Sequence, residues 1–92
     1  AAPPTSDLAE ETRLLAQARA RLHAGSPKNA LAPLSEHQAR FPDGQLTEDR
    51  MVLRARALCE SGDRGSGRKA AAALRKAFPS SSHLPRVDRT CK

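Results

Sequence analysis

Leu8, Leu14, Leu15, Ala18 and Leu22 recur at helical spacing, with charged residues between them. Asp7 caps this run, Glu10 three residues on completes a capping box, and Glu11 also stands in the first turn. Gly25 supplies the left-handed residue that ends it, which predicts a helix over about 7–24. Ser26 caps a second run and Pro27 takes its first position, where a missing N–H is not needed. Ala30, Leu31, Leu34, His37, Gln38 and Phe41 follow, until Pro42 forces the chain out of helix. Pro33 falls past the first turn and removes a hydrogen bond to Asn29, so a kink or a late start is expected there. Thr47 caps a third helix over about 47–61, with Glu48 and Asp49 in its first turn and an apolar stripe of Met51, Val52, Ala55, Leu58 and Cys59 running to Gly62. Gly65 and Gly67 delay the fourth to about Ser66, from where it runs through Arg68, Lys69 and the alanines to Phe78-Pro79. Ser80, Ser81 and Ser82 offer caps for a short fifth helix over about 83–91, on which Leu84, Val87 and Cys91 share one face.

The pattern is duplicated. Leu14 to Gly25 aligns with Met51 to Gly62, so that Ala18-Arg19-Ala20 recurs as Ala55-Arg56-Ala57 at an offset of 62 − 25 = 37 residues. The same offset carries Phe41-Pro42-Asp43 onto Phe78-Pro79-Ser80. Each unit reads as helix, glycine turn, helix and Phe-Pro stop, and a third unit begins before the end. The alternative is an antiparallel helical bundle whose symmetry is coincidental.

Gly25, Ala30 and Pro42 are separated by five and twelve residues. With the small residues Ala18 and Ala55, and with Gly62, Gly67 and Pro79 in the second unit, this spacing resembles the tetratricopeptide repeat, a helix–turn–helix unit of about 34 residues. The 37-residue period departs from it by lengthening the link after Pro42. The Phe-Pro-Asp-Gly-x-Leu phrasing is similar to bacterial envelope members of that superfamily, of the Tol-Pal coordinator and outer-membrane assembly lipoprotein type. The resemblance implies an all-α chain: a right-handed α-α superhelix of two helix hairpins, about 7–42 and 46–79, sealed by a cap at about 83–91. Residues 1–6 read as a Pro-rich linker, and a chain opening on Ala rather than Met suggests that an anchor or another domain lies upstream.

Composition narrows the function. The chain has 92 residues, no Ile, Trp or Tyr, and only two Phe, so strand formers are scarce and one small domain is expected. Sixteen Lys+Arg against ten Asp+Glu give a net charge of +6, spread along the chain rather than gathered in a block. That balance suits an acidic peptide, an anionic surface or nucleic acid, but the aromatic rings that stack on single strands are missing. No apolar run reaches the length of about 18 residues that a membrane span requires. There is no phosphate loop, no nucleophile elbow and no zinc-protease motif, and Ser61 to Gly67 reads as a flexible turn. His23, His37 and His83 have no partner at metal-ligand spacing, so neither a metal nor a cofactor is expected and the chain reads as non-catalytic.

In the repeat family the first helices of successive units line a groove that binds a peptide. Carried over, that face comprises Thr12, Leu15, Arg19, Leu22 and His23, with Asp49, Val52, Arg56 and Glu60. Arg19 and Arg56 would place two guanidiniums on one wall to receive a carboxylate or acidic segment, or would simply be solvated. Cys59 and Cys91, 91 − 59 = 32 residues apart, fall on helices that are neighbours in a stacked repeat. A bridge between them would tether the cap for about 3–4 kcal/mol and imply a periplasmic or other oxidising location; the other reading is two buried thiols. The resulting expectation is a protein-interaction module of a bacterial envelope protein. The alternative is a basic helical regulatory module in the cytoplasm, binding nucleic acid or a regulatory protein.

Overall fold

The computed structural model describes residues 4–92, with side chains from Asp7 onward, and every regular element in that span is an α-helix. In chain order these are α1 (Pro4–His23), α2 (Pro27–Arg40), α3 (Thr47–Glu60), α4 (Arg64–Ala77) and α5 (Leu84–Thr90). α1 pairs with α2 and α3 with α4 as two hairpins, α2 joins them by packing on α3, and α5 lies against α3 and α4. Because α1 and α5 both touch α3 while α2 and α4 do not touch each other, α1, α3 and α5 form one continuous layer and α2 and α4 pack against it. The shortest dimension, 19 Å, is that of two stacked helices, each about 10 Å across. No helix among the described residues is long and apolar enough to cross a membrane.

Helix ends differ from the expected bounds for local reasons. α1 opens at Pro4, where a residue without an N–H costs nothing, and Asp7 is left as a first-turn carboxylate. Residues 4–6 of the expected linker are thus helical in backbone, and 1–3 lie outside the described residues. α3 is capped by Leu46 rather than Thr47, whose hydroxyl donates back to the Gly44 carbonyl at 2.6 Å. α4 starts at Arg64, ahead of both glycines, because Asp63 Oδ1 accepts the Ser66 N–H at 3.2 Å. α2 starts at Pro27 and continues through Pro33. The Asn29 carbonyl that Pro33 cannot serve receives Arg21 Nη1 from α1 at 2.9 Å, so the hairpin itself makes good the missing bond.

The 37-residue repeat is visible in the backbone. Gly25 and Gly62 both have positive φ, 78° and 96°, and both end their helices with the same pair of bonds. The Gly25 N–H donates to Leu22 and the Ser26 N–H to Arg21, as Gly62 donates to Cys59 and Asp63 to Leu58, at 2.9–3.1 Å. After the second helix, Phe41 donates to His37 and Gly44 to Phe41, as Phe78 donates to Leu74 and Ser81 to Phe78. The Thr47 bond to Gly44 likewise recurs as Leu84 to Ser81. α5 therefore corresponds to the first half of α3.

α3 is buried on two sides. Leu53 and Ala57 join Leu15, Ala18, Leu22, Ala30 and Leu34 of the first hairpin. Val52, Ala55 and Cys59 join Ala71, Leu74, Val87 and Cys91. Ala18, Ala30 and Ala55 have no exposed surface, which lets helices approach closely. At Gly67 a Cβ would collide with Cys59 Sγ, so the small residue there clears space for the Cys59–Cys91 disulfide.

The seam between the hairpins is polar. Glu11, 3% exposed, lies under Gly44, and its Oε1 accepts the Leu46 N–H at 3.1 Å and His37 Nε2 at 2.9 Å. His37, fully buried, meets Arg50 Nη1 at Nδ1, 3.2 Å away, and Arg50 also donates to the Phe41 carbonyl. A guanidinium only donates, so Nδ1 accepts and the proton sits on Nε2, pointing at Glu11. Burial pushes the Glu11 carboxyl up, but the hydrogen bonds from Leu46, His37 and Gln45 outweigh it and hold the group below its ordinary value. Burial also pulls the Arg50 guanidinium down, opposed by the Glu11 charge, without discharging it.

A carboxylate depressed in the folded state contributes stability above its unfolded value of about 4.3 and loses that contribution as pH falls through the lower folded value. Chemical denaturation from neutral to acid pH should therefore show Glu11→Gln as less stable by about 1–3 kcal/mol at neutral pH, with the gap closing below about pH 4. Parallel curves for the two proteins would contradict this assignment.

Candidate functional site

Arg19 on α1 and Arg56 on α3 are equivalent positions of the repeat, and each follows a fully buried alanine, Ala18 or Ala55. One residue is 100° of helix, so burying the alanine turns the arginine out along the edge of the same layer. Arg86 on α5 precedes the fully buried Val87 and is turned out in the same way. Arg19, Arg56 and Arg86 line one cleft of about 260 Å³ together with Leu22 and His23.

Leu22 gives the cleft an apolar contact, while His23 occupies the last turn of α1, where positive character is favourable. The five lining residues include no carboxylate, hydroxyl or thiol. Glu60 stands beside them, its Oε2 3.4 Å from Arg56 Nε in an i,i+4 pair that is partly open to solvent. The cleft therefore offers planar guanidinium forks that match a carboxylate in pairs, partly screened on one side by an anion of the chain itself.

Four residues of the expected groove, Arg19, Leu22, His23 and Arg56, thus come together, and Glu60 reaches the site through Arg56. Leu15 and Val52 do not belong to it: they are 0% and 6% exposed and sit in the two core clusters, because the hairpin packs over the stripe that carries them. Thr12 is exposed but bonds its own helix at the Leu8 carbonyl, and neither it nor the half-buried Asp49 lines the cleft. Arg86 was not among the expected residues, although adding 37 to Asp49 leads to it. Since neither Asp49 nor Thr12, its repeat equivalents, lines the cleft, the repeat carries no signal for Arg86, which enters through the placement of α5 against α3.

The chain matches no protein-family model, no curated protein and no solved structure.

The division between core and cleft is measurable. Leu15→Ala should lower the unfolding free energy by about 2–5 kcal/mol, whereas Arg19→Ala should change it by less than about 0.5 kcal/mol. Comparable losses in urea denaturation would place Arg19 in the packed interior and remove it from the site.

Proposed function

We propose that this chain is a non-catalytic protein-binding module that receives an acidic segment of a partner in the cleft between α1, α3 and α5. The observation that carries the reading is the convergence of three arginines on one cleft with no carboxylate in its lining. Guanidiniums presented to one cleft by three helices suit a chain bearing several carboxylates, each pair adding a charge-assisted hydrogen bond. The duplicated hairpins and the groove position of Arg19 and Arg56 support membership of the tetratricopeptide superfamily and a right-handed superhelical stack. A nucleic-acid partner has less support, since Phe41 and Phe78 cap α2 and α4 and neither reaches the cleft.

A structural bridge fits an oxidising setting such as the periplasm or another part of the cell envelope.

Binding of a fluorescent oligoglutamate peptide, followed by anisotropy, tests the site. The double variant Arg19→Glu, Arg56→Glu should abolish capture while its circular dichroism and melting stay close to the parent's. Undiminished capture, or tighter binding of a single-stranded oligonucleotide than of the peptide by the parent, would overturn the reading. Thiol titration of native, unreduced protein should find no free thiol; two free thiols would argue for the cytoplasm.

A further inference from the structure

α5 has only seven residues, too few to persist as a helix without support, since isolated helices below about 12–15 residues are marginal in water. Its counterpart, the first half of α3, continues for another two turns, where Ala57 joins the core of the first hairpin. α5 has no such second half. In its place stands Cys91, at the helix C-cap, bonded to Cys59 with the two Cα atoms 5.1 Å apart. The remaining ties are the buried Val87, the partly buried Leu84 packed against the same cluster, and two contacts at the surface, Arg75 to Asp88 and Arg64 to the Lys92 carbonyl, both at 2.6 Å. The Arg75–Asp88 pair is half exposed and stabilises little.

Arg86 adjoins Val87, so whatever holds Val87 down also holds Arg86 in the cleft. We infer that α5 is a working wall of the binding cleft, set in place by the Cys59–Cys91 bond, so that the three-arginine site exists in the oxidised chain and opens to a two-arginine site on reduction. The inference rests on the acidic-partner reading of that cleft and assigns its regulation. Chemically the change is a thiol–disulfide exchange: a dithiol gives up two electrons and two protons, closes to its own disulfide and leaves two protein thiols. Cys59 and Cys91 are both buried, 4% exposed each, so exchange requires α5 to lift and the two events are linked.

The full chain, oxidised or reduced with dithiothreitol, and the variants Arg86→Ala and Cys59→Ser with Cys91→Ser are titrated with fluorescent oligoglutamate. Amide hydrogen exchange is followed in parallel. Arg86→Ala should weaken binding about tenfold in the oxidised chain, the value of one charge-assisted pair. Reduction, or the double serine variant, should weaken it by the same factor, with α5 amides losing protection while α1 and α2 keep theirs. Adding Arg86→Ala to the double serine variant should change nothing further.

Equal affinity in the oxidised and reduced chains would overturn the inference, as would loss of protection throughout α1 and α2, which would make the bond a global staple. An inert Arg86→Ala alongside a binding-dead Arg19→Glu, Arg56→Glu variant would also overturn it and leave the acidic-partner reading standing. No binding by the oxidised parent would remove that reading itself.

Discussion

An ionised carboxylate can be buried only where its lost hydration is replaced, and the arrangement of this chain turns on how that is done for Glu11. Its replacements come from three separate places: the Leu46 amide in the link between hairpins, the His37 ring on α2 and, beyond that ring, the Arg50 guanidinium on α3. Each bond requires the others to be in register. The network is directional in a way that packed methyl groups are not, and it fixes the angle at which the second hairpin meets the first. Gly44 belongs to the same constraint, because any side chain there would occupy the position of the carboxylate.

Once that seam is fixed, the layer of α1, α3 and α5 follows. α3 buries residues toward both hairpins, and its outward residues are the few positions left between two packed faces. Arg56 is one of them, and Arg19 has the same relation to its neighbours. The Arg19–Arg56 pair is thus a by-product of repetition, an alanine in the core with an arginine after it, whereas Arg86 comes into the cleft with α5.

Much of the fold was legible in the chain because it depends on local rules. Gly25, Gly62, Phe41-Pro42 and Phe78-Pro79 mark helix ends through backbone preferences that need no partner, and the turn hydrogen bonds recur at the same 37-residue offset. The Cys59–Cys91 bond was one of two open readings, and the contact of α3 with α5 decided it. The polar seam has no such local signature. Glu11 read as a first-turn carboxylate and His37 as one more face residue, since nothing local distinguishes a buried partner from a solvated one. The repeat held the clue: Leu74 and Val87 stand 37 residues after His37 and Arg50, so one seam is polar where the next is apolar. Leu15 and Val52 were misplaced in the groove for a related reason. Helical spacing gives the stripe, but only the neighbouring helices decide which edge of it is covered.

That contrast between seams bears on how the molecule avoids mispairing with itself. Tandem units with identical edges can slip by one unit or exchange halves between two chains, because every edge accepts every other. Here the edges are keyed differently. Were α3 of another copy to settle where α5 lies, Arg50 would face Leu74 with no acceptor, and Cys59 would lose its mate. Were α5 to settle against the first hairpin, Val87 would leave His37 without its donor. Each edge leaves the wrong guest with an unmet polar partner, which disfavours slippage and exchange among near-duplicate parts.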